Sequence, residues 1–201
     1  MDSRAKLQAL LHQTLHTDQD QVVDELVRES SFVRAEKGTK LFREGEQIRD
    51  CYLLMSGVVR AFFVTADGEE LTEWFNFRPG DIIHPSYRML DENTAKASVE
   101  AATECELAHI PMASLMEVVR LHPEFDQIRV RVLQTTLERQ AVLKRSLVYK
   151  SPSARYEWLM ENWPELVGTV PQKHIASFLC MTPVSLSRIR SRYKKKLSAD
   201  D

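Results

Sequence analysis

Cysteine is scarce in this 201-residue sequence, which contains only Cys51, Cys105 and Cys180. No two of them form a Cys-x-x-Cys pair, which argues against a structural zinc site and against a redox couple. An odd and widely spaced set of cysteines is typical of free thiols in a reducing compartment. We therefore expect three unbridged cysteines and no cofactor.

Long apolar runs are also absent, so no segment is expected to span a bilayer. The amino-terminal stretch (MDSRAKLQALLHQTLH) has no extended apolar core and no small-residue cleavage site. These features argue against a secretory signal peptide. The sequence thus predicts a protein that resides in the cytoplasm and does not contact a membrane.

Motifs that indicate catalysis are missing as well. The sequence contains no Gly-x-Ser-x-Gly, no His-Glu-x-x-His and no phosphate-cradling glycine loop. His12 and His16 stand four residues apart on a predicted helix, but Leu11 and Leu15 make an amphipathic surface the better interpretation than a metal site. Because no His-x-His occurs in the region predicted to form strands, a cupin-type metal enzyme is the least favoured alternative. We expect no catalytic residues and no metal ligands.

Acidic residues are absent between Leu166 and Ala199, although the whole chain carries a formal net charge of −2. The same stretch contains seven basic residues: Lys173, Arg188, Arg190, Arg192, Lys194, Lys195 and Lys196. A local basic patch matters more for nucleic acid binding than the charge of the whole chain. A second interpretation is a non-catalytic interaction module whose basic tail binds acidic partners.

Glycines divide the middle of the chain into short segments rich in aromatic and β-branched residues. Five of the six glycines lie at Gly38, Gly45, Gly57, Gly68 and Gly80. Short strands with regular turn signals favour a β-barrel or sandwich, and Asp67-Gly68 predicts a hairpin. Helical spacing of leucines and valines predicts helices over residues 5–30, before this β region.

Helical periodicity returns after Pro111. It predicts a short helix over Met112–Leu121 and a long one from about Glu124 to Val148, which has no interior glycine or proline. A helix of that length extends beyond a small β-domain, and its broad apolar stripe needs another surface to cover it. A second copy of the helix is the simplest candidate, so we expect a homodimer.

The segment Val170–Lys196 predicts a helix-turn-helix. One helix runs from about Pro171 to Leu179, a turn follows at Cys180-Met181, and Thr182 caps a second helix whose first residue is Pro183. The spacing of Leu186, Ile189 and Tyr193 gives the second helix a buried side. Such a helix lies in the major groove of double-stranded DNA and contacts bases with its amino-terminal half. The opposite side carries the residues that we expect to contact bases or phosphates, together with two at the start of the first helix: Gln172, Lys173, Thr182, Val184, Ser185, Ser187, Arg188 and Arg192.

The order of these parts resembles the Crp/Fnr family of bacterial transcription regulators. The motifs that carry the resemblance are Lys37–Glu46, Tyr52–Gly57 and Pro79–Ile83, and with the helix-turn-helix they extend it over nearly the whole chain after Ser31. The resemblance implies an α+β fold with a double-stranded β-helix jelly roll, a dimerising central helix and a winged helix-turn-helix. Its implied division is a sensor domain over 1–121, the central helix over 122–148 and a DNA-binding domain over 149–201.

The sequence departs from the family pattern in the ligand cassette. Members that bind cyclic AMP hold the ribose with a Gly-Glu pair and the cyclic phosphate with an Arg-Ser pair. Here the first pair falls on His84 and Pro85, and the second on about Ala95 and Lys96. We therefore expect an unknown effector and not cyclic AMP in the usual mode. The residues of the cassette that could face such a ligand are His84, Tyr87, Arg88 and Lys96.

Further departures lie at both ends of the chain. The amino-terminal cysteine cluster of the iron–sulfur members is missing. Val184 stands where the recognition helix often has glutamate, which predicts a different base preference, and a thymine methyl group suits a valine side chain. Cys180 occupies the turn position where glycine is frequent, whereas Arg188 matches the family's recurring arginine. Because few residues follow Lys196 in this sequence, we expect no carboxy-terminal wing hairpin.

Overall fold

The computed structural model describes residues 2–85 and 94–200, the side chains of Arg139, Tyr149 and 196–200 excepted. The helices are α1 (Ser3–Leu15), α2 (Asp20–Glu29), α3 (Met112–Leu121), α4 (Phe125–Tyr149), α5 (Pro152–Asn162), α6 (Gln172–Phe178) and α7 (Pro183–Asp200). The strands are β1 (Ser31–Ala35), β2 (Lys40–Phe42), β3 (Asp50–Ser56), β4 (Val59–Val64), β5 (Glu70–Asn76), β6 (Ile82–Ile83), β7 (Ser98–Ala101) and β8 (Cys105–Pro111).

Contacts divide the chain into two compact units. The first comprises Met1–Phe62 and Phe75–Thr136, and the second comprises Phe63–Trp74 and Leu137–Asp201. The end of the β4–β5 hairpin therefore groups with the carboxy-terminal helices, and the division falls within α4. The three-part division implied by the family resemblance stays a prediction.

The strands form two four-stranded sheets, with the orders β1-β8-β3-β6 and β2-β7-β4-β5. In the first sheet, β8 pairs antiparallel with both β1 and β3, and Leu53 stands opposite Ala108. In the second, β7 pairs antiparallel with β2 and β4. Two sheets built from such short antiparallel strands confirm the predicted jelly roll.

The core of the first unit lies between one face of the first sheet and a layer of helices. Alternate residues of β3 point to the same face, so Cys51, Leu53 and Met55 are buried together. Leucines at helical spacing on α1, valines and a leucine on α2, and the first turns of α4 cover this face. The predicted amphipathic helices of residues 5–30 thus form one wall of the core, and Leu7, Leu11 and Leu26 are no more than 3% exposed.

Gly57 shows why the turn between β3 and β4 needs glycine. Its φ is +96°, and a Cβ atom there would lie 2.4 Å from the carbonyl oxygen of Glu104. Both the left-handed conformation and the close approach of the backbone exclude other residues. This glycine belongs to the Tyr52–Gly57 motif that carries the family resemblance.

A buried ion pair lies in the second sheet. No pattern in the sequence indicated it. Arg60, with a side chain 1% exposed, donates from Nε to Glu100 Oε1 over 2.8 Å. Lys40 forms an ion pair with the same carboxylate. Both cations also stack on the Phe62 ring, with Arg60 Cζ at 4.1 Å from its centroid. Cross-strand pairing places these groups on one face.

All three cysteines are free, with Cys51 and Cys105 buried and Cys180 exposed. Within residues 2–85 and 94–200, each helix is too short or too polar to cross a membrane. The same residues contain no cluster of three or more side chains suited to hold a metal ion. His12 instead places Nδ1 at 2.8 Å from the carbonyl oxygen of Thr17.

Candidate nucleic-acid interface

The second unit contains a helix-turn-helix close to the one that the sequence predicts. Leu159 of α5, Phe178 of α6 and Leu186 of α7 are each no more than 2% exposed and meet in its core. Ala176 is fully buried, and its small side chain allows α6 and α7 to approach closely. Helix α6 begins and ends one residue inside its predicted bounds, and α7 begins at the predicted Pro183.

The turn between α6 and α7 is fixed by backbone geometry. Cys180 has a φ of +53°, in the left-handed region where glycine is favoured. The Met181 amide then donates to the carbonyl oxygen of Ala176 over 2.9 Å, which closes the end of α6. Cys180 therefore performs the conformational role that glycine often has in the family.

Thr182 begins α7 as its amino-terminal cap. Its Oγ1 accepts a hydrogen bond from the Ser185 amide over 3.2 Å and donates to Ser185 Oγ over 3.0 Å. Pro183 follows at the first helical position, where its missing N–H has no cost. The predicted cap is confirmed, and it fixes the direction of the helix that carries the predicted base-contacting residues.

One side of α7 is buried and the other faces solvent. Leu186 and Ile189 lie in the core, and the Tyr193 ring meets that of Tyr156 edge-on at 5.5 Å. Ser185 is half-buried, and its hydroxyl accepts a hydrogen bond from Thr182. The remaining predicted residues on α7 are exposed: Val184, Ser187, Arg188 and Arg192.

The basic residues of this segment do not all point outward. Arg190 is half-buried beside Tyr156. Burial raises the pKa of the Tyr156 hydroxyl, and the Arg190 guanidinium lowers it in part. Arg190 therefore takes part in packing, whereas Gln172 and Lys173 lie exposed in the first turn of α6.

Arg155 on α5 is a residue that sequence reasoning missed. Its Nη1 donates to the carbonyl oxygens of Leu179 at 2.9 Å and Cys180 at 3.3 Å, and its Nε donates to Lys150 at 3.0 Å. These bonds satisfy carbonyls at the end of α6 that no helical N–H reaches. Leu179 and Cys180 lie 24 and 25 residues from Arg155 along the chain, so no local pattern indicates these two bonds.

The β4–β5 hairpin also meets the helix-turn-helix within the second unit. Ser177 Oγ of α6 accepts from the Thr72 amide over 3.1 Å and donates to Thr72 Oγ1 over 2.8 Å. Thr72 is 6% exposed. The hairpin thus holds the first helix of the motif through a reciprocal pair of hydrogen bonds.

The predicted ligand cassette is described only at its two ends. His84 follows β6 and is half-buried, and Lys96 is exposed, with its amide bonded to the Pro85 carbonyl oxygen over 2.8 Å. Tyr87 and Arg88 lie outside the described residues. Ala95, at the position where the resemblance places the phosphate-binding arginine, is 2% exposed.

A row of Ser31, His109 and Asp50 contains the residue types of a hydrolase triad. Ser31 Oγ lies 3.2 Å from His109 Nδ1, and His109 Nε2 lies 2.7 Å from Asp50 Oδ1. The two ring nitrogens have the reverse of their roles in serine hydrolases. The residues stand on neighbouring strands β1, β8 and β3, so we interpret the row as cross-strand pairing.

Comparisons with known proteins agree with this architecture. The family described as "Cyclic nucleotide-binding domain" matches residues 32–122. The "Fumarate and nitrate reduction regulatory protein" of Vibrio cholerae is 21% identical, over 90% of this chain and 75% of that protein. The Escherichia coli protein of the same name is 22% identical, over 80% of this chain and 67% of the relative.

The predicted resemblance of this chain to the Crp/Fnr family is confirmed. The chain is a transcription regulator and not an enzyme. Solved structures share its fold. FixK2 from Bradyrhizobium japonicum gives a TM-score of 0.72 at 16% identity, covering 83% of this chain and 85% of that one. A putative cyclic nucleotide binding protein from Ruegeria pomeroyi gives 0.63 at 25% identity, covering 96% and 88%.

Proposed function

We propose that this Crp/Fnr regulator is a homodimer that places α7 of each subunit in the major groove of DNA. The observation that carries the proposal is the outward face of α7. It combines a cap at Thr182, exposed Ser187 and Arg188, and the absence of any acidic residue from 167 to 199. A capped helix with such a face suits groove binding, since its amino-terminal residues contact bases.

Arg188 is the proposed base-reading residue, because a guanidinium can donate two hydrogen bonds to guanine O6 and N7. Val184 is 62% exposed and suits contact with a thymine methyl group. The small Ser185 and Ser187 allow the helix to come close to the base edges. Arg192 lies two turns into the helix on the same face.

Phosphate contacts are proposed for Gln172, Lys173 and Thr182. The first two are exposed at the start of α6, where an amide and an ammonium group can meet the DNA backbone. Thr182 already donates its hydroxyl to Ser185, so a phosphate contact from it would replace that bond. We therefore expect Lys173 to contribute more to affinity than Thr182.

The dimer is proposed from a stripe on α4 that its own chain leaves exposed. At about 100° per residue, Val130, Leu137, Ala141 and Val148 fall within about 40° of one another around the helix. All four are exposed, and Leu137 reaches 71%. The opposite side, which includes Phe125 and Ile128, is buried. A second copy of the stripe would cover these residues and place the two recognition helices in successive major grooves, about 34 Å apart.

We propose an effector other than cyclic AMP bound in the usual mode. Ala95 and the exposed Lys96 stand in place of the phosphate-binding Arg-Ser pair, and a lysine lacks the two-pronged geometry of arginine. A structural relative from Xanthomonas campestris, CLP, is described as c-di-GMP responsive, at 20% identity and a TM-score of 0.66. The effector proposed for this chain therefore need not be a cyclic mononucleotide.

Selection from random duplex DNA tests the proposal. The wild-type protein is expected to enrich a two-fold symmetric site, with an affinity that falls steeply as salt rises because phosphate contacts release counterions. Arg188→Ala should relax the preference at one base pair in each half-site, at a cost of about 1–3 kcal/mol. Arg49→Ala, an equal change of charge at an exposed residue of the first unit, is the matched control.

Retained selectivity in Arg188→Ala would remove this residue from the base-reading role. Absence of any selected site at all salt concentrations, with and without candidate effectors, would contradict DNA reading and favour an interaction module with a basic tail. An asymmetric selected site would contradict the symmetric dimer.

A further inference from the structure

An apolar cavity lies in the first unit, outside the region of the cyclic-nucleotide cassette. Its volume is about 50 Å³. Leu11 and Leu15 of α1, Cys51 of β3 and Ile110 of β8 form part of its wall. The cavity therefore sits between the helical layer and the face of the first sheet that carries Cys51 and Leu53, and no described residue of 84–98 lines it.

The chemistry of the wall is unsuited to water or ions. Cys51 contributes a thiol whose pKa burial raises to about 12, so it is uncharged at neutral pH. The one charged group on the lining is Arg129, which pairs with Asp126 over 3.2 Å. A buried water needs two to four polar partners, and cavities lined by aliphatic side chains stay dry and accept molecules such as xenon or benzene.

The cavity also touches the beginning of α4. Phe125 and Ile128, which are 6% and 1% exposed, line it together with Val132. These residues occupy the first two turns of the helix whose exposed stripe, from Val130 to Val148, is proposed to form the dimer. Filling the cavity would change how those turns pack on β3 and β8, because interiors are close-packed and respond to added volume.

We propose that this cavity binds a small, uncharged, apolar molecule and that its occupancy is the signal that the regulator senses. The ligand is smaller than benzene, since an apolar cavity that holds benzene measures about 150 Å³. Binding of the small molecule in the cavity does not depend on the proposed DNA binding. The effect of the small molecule on DNA affinity rests on the proposed DNA binding.

Xenon is the probe for the first half of the proposal, because it is apolar and fits cavities of this kind. The full chain is labelled on leucine, isoleucine and valine methyl groups, and their NMR shifts are followed under xenon pressure. Methyls of Leu11, Ile110 and Ile128 are expected to shift with saturation. Leu54 and Val99, which are fully buried elsewhere in the β-roll, serve as internal controls. Equal shifts at both sets, or none, would overturn the site.

Two substitutions at Cys51 test the location. Cys51→Leu adds volume into the cavity and should abolish the xenon shifts, whereas Cys51→Ala leaves the space open and should retain them. Spectra of the unliganded variants establish that both fold. Shifts that persist in Cys51→Leu would place the xenon elsewhere and contradict the proposal.

DNA affinity then tests the signalling half. We expect xenon to change the affinity of the wild-type protein for its selected site by about fivefold or more, the lower end of ordinary coupling between sites. Cys51→Leu should show the changed affinity without xenon and no further response. Xenon binding without any change in DNA affinity would overturn the sensing role, whereas the cavity would still stand as a binding site. Loss of DNA selection under every condition would count against the DNA-reading proposal alone.

Discussion

Arg60 is a charged side chain held almost without solvent, and Glu100 is the carboxylate that pairs with it. Glu100→Gln would keep the shape of the side chain but leave the guanidinium without its counter-charge. Removing one partner of a buried ion pair costs about 3–5 kcal/mol of unfolding free energy. We expect a loss of this size in urea unfolding of the β-sheet structure followed by circular dichroism.

Glu106→Gln is the control for that change. Glu106 also pairs with an arginine, Arg34 at 3.4 Å, but its side chain is 51% exposed. An exposed pair contributes about 0–1 kcal/mol. Equal losses in the two variants would contradict the assignment of Arg60 and Glu100 as a buried pair with a structural role.

The backbone of Cys180 is strained. At a φ of +53° a glycine has no steric cost, whereas a β-branched side chain is strongly disfavoured. Cys180→Gly should therefore be neutral or stabilise the protein by up to about 1 kcal/mol, since relief of strain is offset by the entropy of glycine in the unfolded chain. Cys180→Val should destabilise it by about 1–3 kcal/mol. Thermal unfolding measures both, and a glycine variant less stable than the valine variant would refute this account.

His122, between α3 and α4, lies close to two carboxylates. Its Nε2 lies 2.9 Å from Glu25 of α2, and its Nδ1 lies 3.2 Å from Glu124. The hydrogen bond with Glu25 is the main cause that raises the pKa of His122 above its ordinary 6.5, and burial opposes it. The protonated imidazole therefore stabilises the folded state.

The pH dependence follows from the direction of that shift. A pKa raised on folding gives stabilisation that is complete below the unfolded pKa and is lost as the pH rises through the folded pKa. The free energy of unfolding of wild type should exceed that of His122→Gln most at pH about 6, and the excess should shrink towards pH about 9. Urea titrations at several pH values measure it, and an excess that grows with pH would contradict the sign.

At the scale of elements, the sequence could predict those features that depend on residues a few positions apart. It could not predict contacts between distant elements. Thr182 caps α7 and Ser151 caps α5 because each hydroxyl meets an amide three residues later. Such signals are complete within a few residues, and the bounds of α6 and the start of α7 were predicted closely. Arg155 and Ser177 gain their roles from partners on other elements, which no periodicity records.

The candidate site divides in the same way. The exposed face of α7 could be predicted from spacing, because Leu186 and Ile189 define its buried side. The half-burial of Arg190 could not, because it depends on Tyr156 of α5. The cavity was also beyond sequence reasoning, since its wall combines residues of α1, β3, β8 and α4 that are far apart along the chain.

The hairpin contact gives a prediction at this scale. Ser177→Ala removes the hydroxyl that accepts the Thr72 amide and donates to Thr72 Oγ1. Loss of a part-buried hydrogen bond costs about 1–3 kcal/mol. We expect faster hydrogen exchange at the Thr72 amide. Ser187→Ala, on the exposed face of α7, should leave that amide unchanged. Unaltered exchange in Ser177→Ala would show that the contact does not hold the hairpin.

At the scale of the whole molecule, the net charge conceals how charged residues are distributed along the chain. The total of −2 combines an acid-free carboxy-terminal segment with acidic residues concentrated elsewhere. An electrostatic argument for DNA binding therefore depends on the local distribution, because charges beyond about 10 Å are screened at ordinary salt. For the same reason, the contacts of one subunit act only on its own half-site. Pairing of two subunits combines the two sets of contacts.

The last prediction concerns that pairing. Leu137 is 71% exposed and central in the α4 stripe, and a symmetric dimer would bury it in both subunits. Leu137→Glu would place two carboxylates at the seam, at a cost of about 2 kcal/mol or more for each copy. We expect the dimer dissociation constant from sedimentation equilibrium to rise at least about a hundredfold. Affinity for a symmetric site should fall with it, because the two half-sites are then bound separately. Thr136→Glu adds the same charge to an exposed neighbour on another side of α4 and should leave both quantities unchanged. A Leu137→Glu protein that remained dimeric would place the subunit contact on another surface.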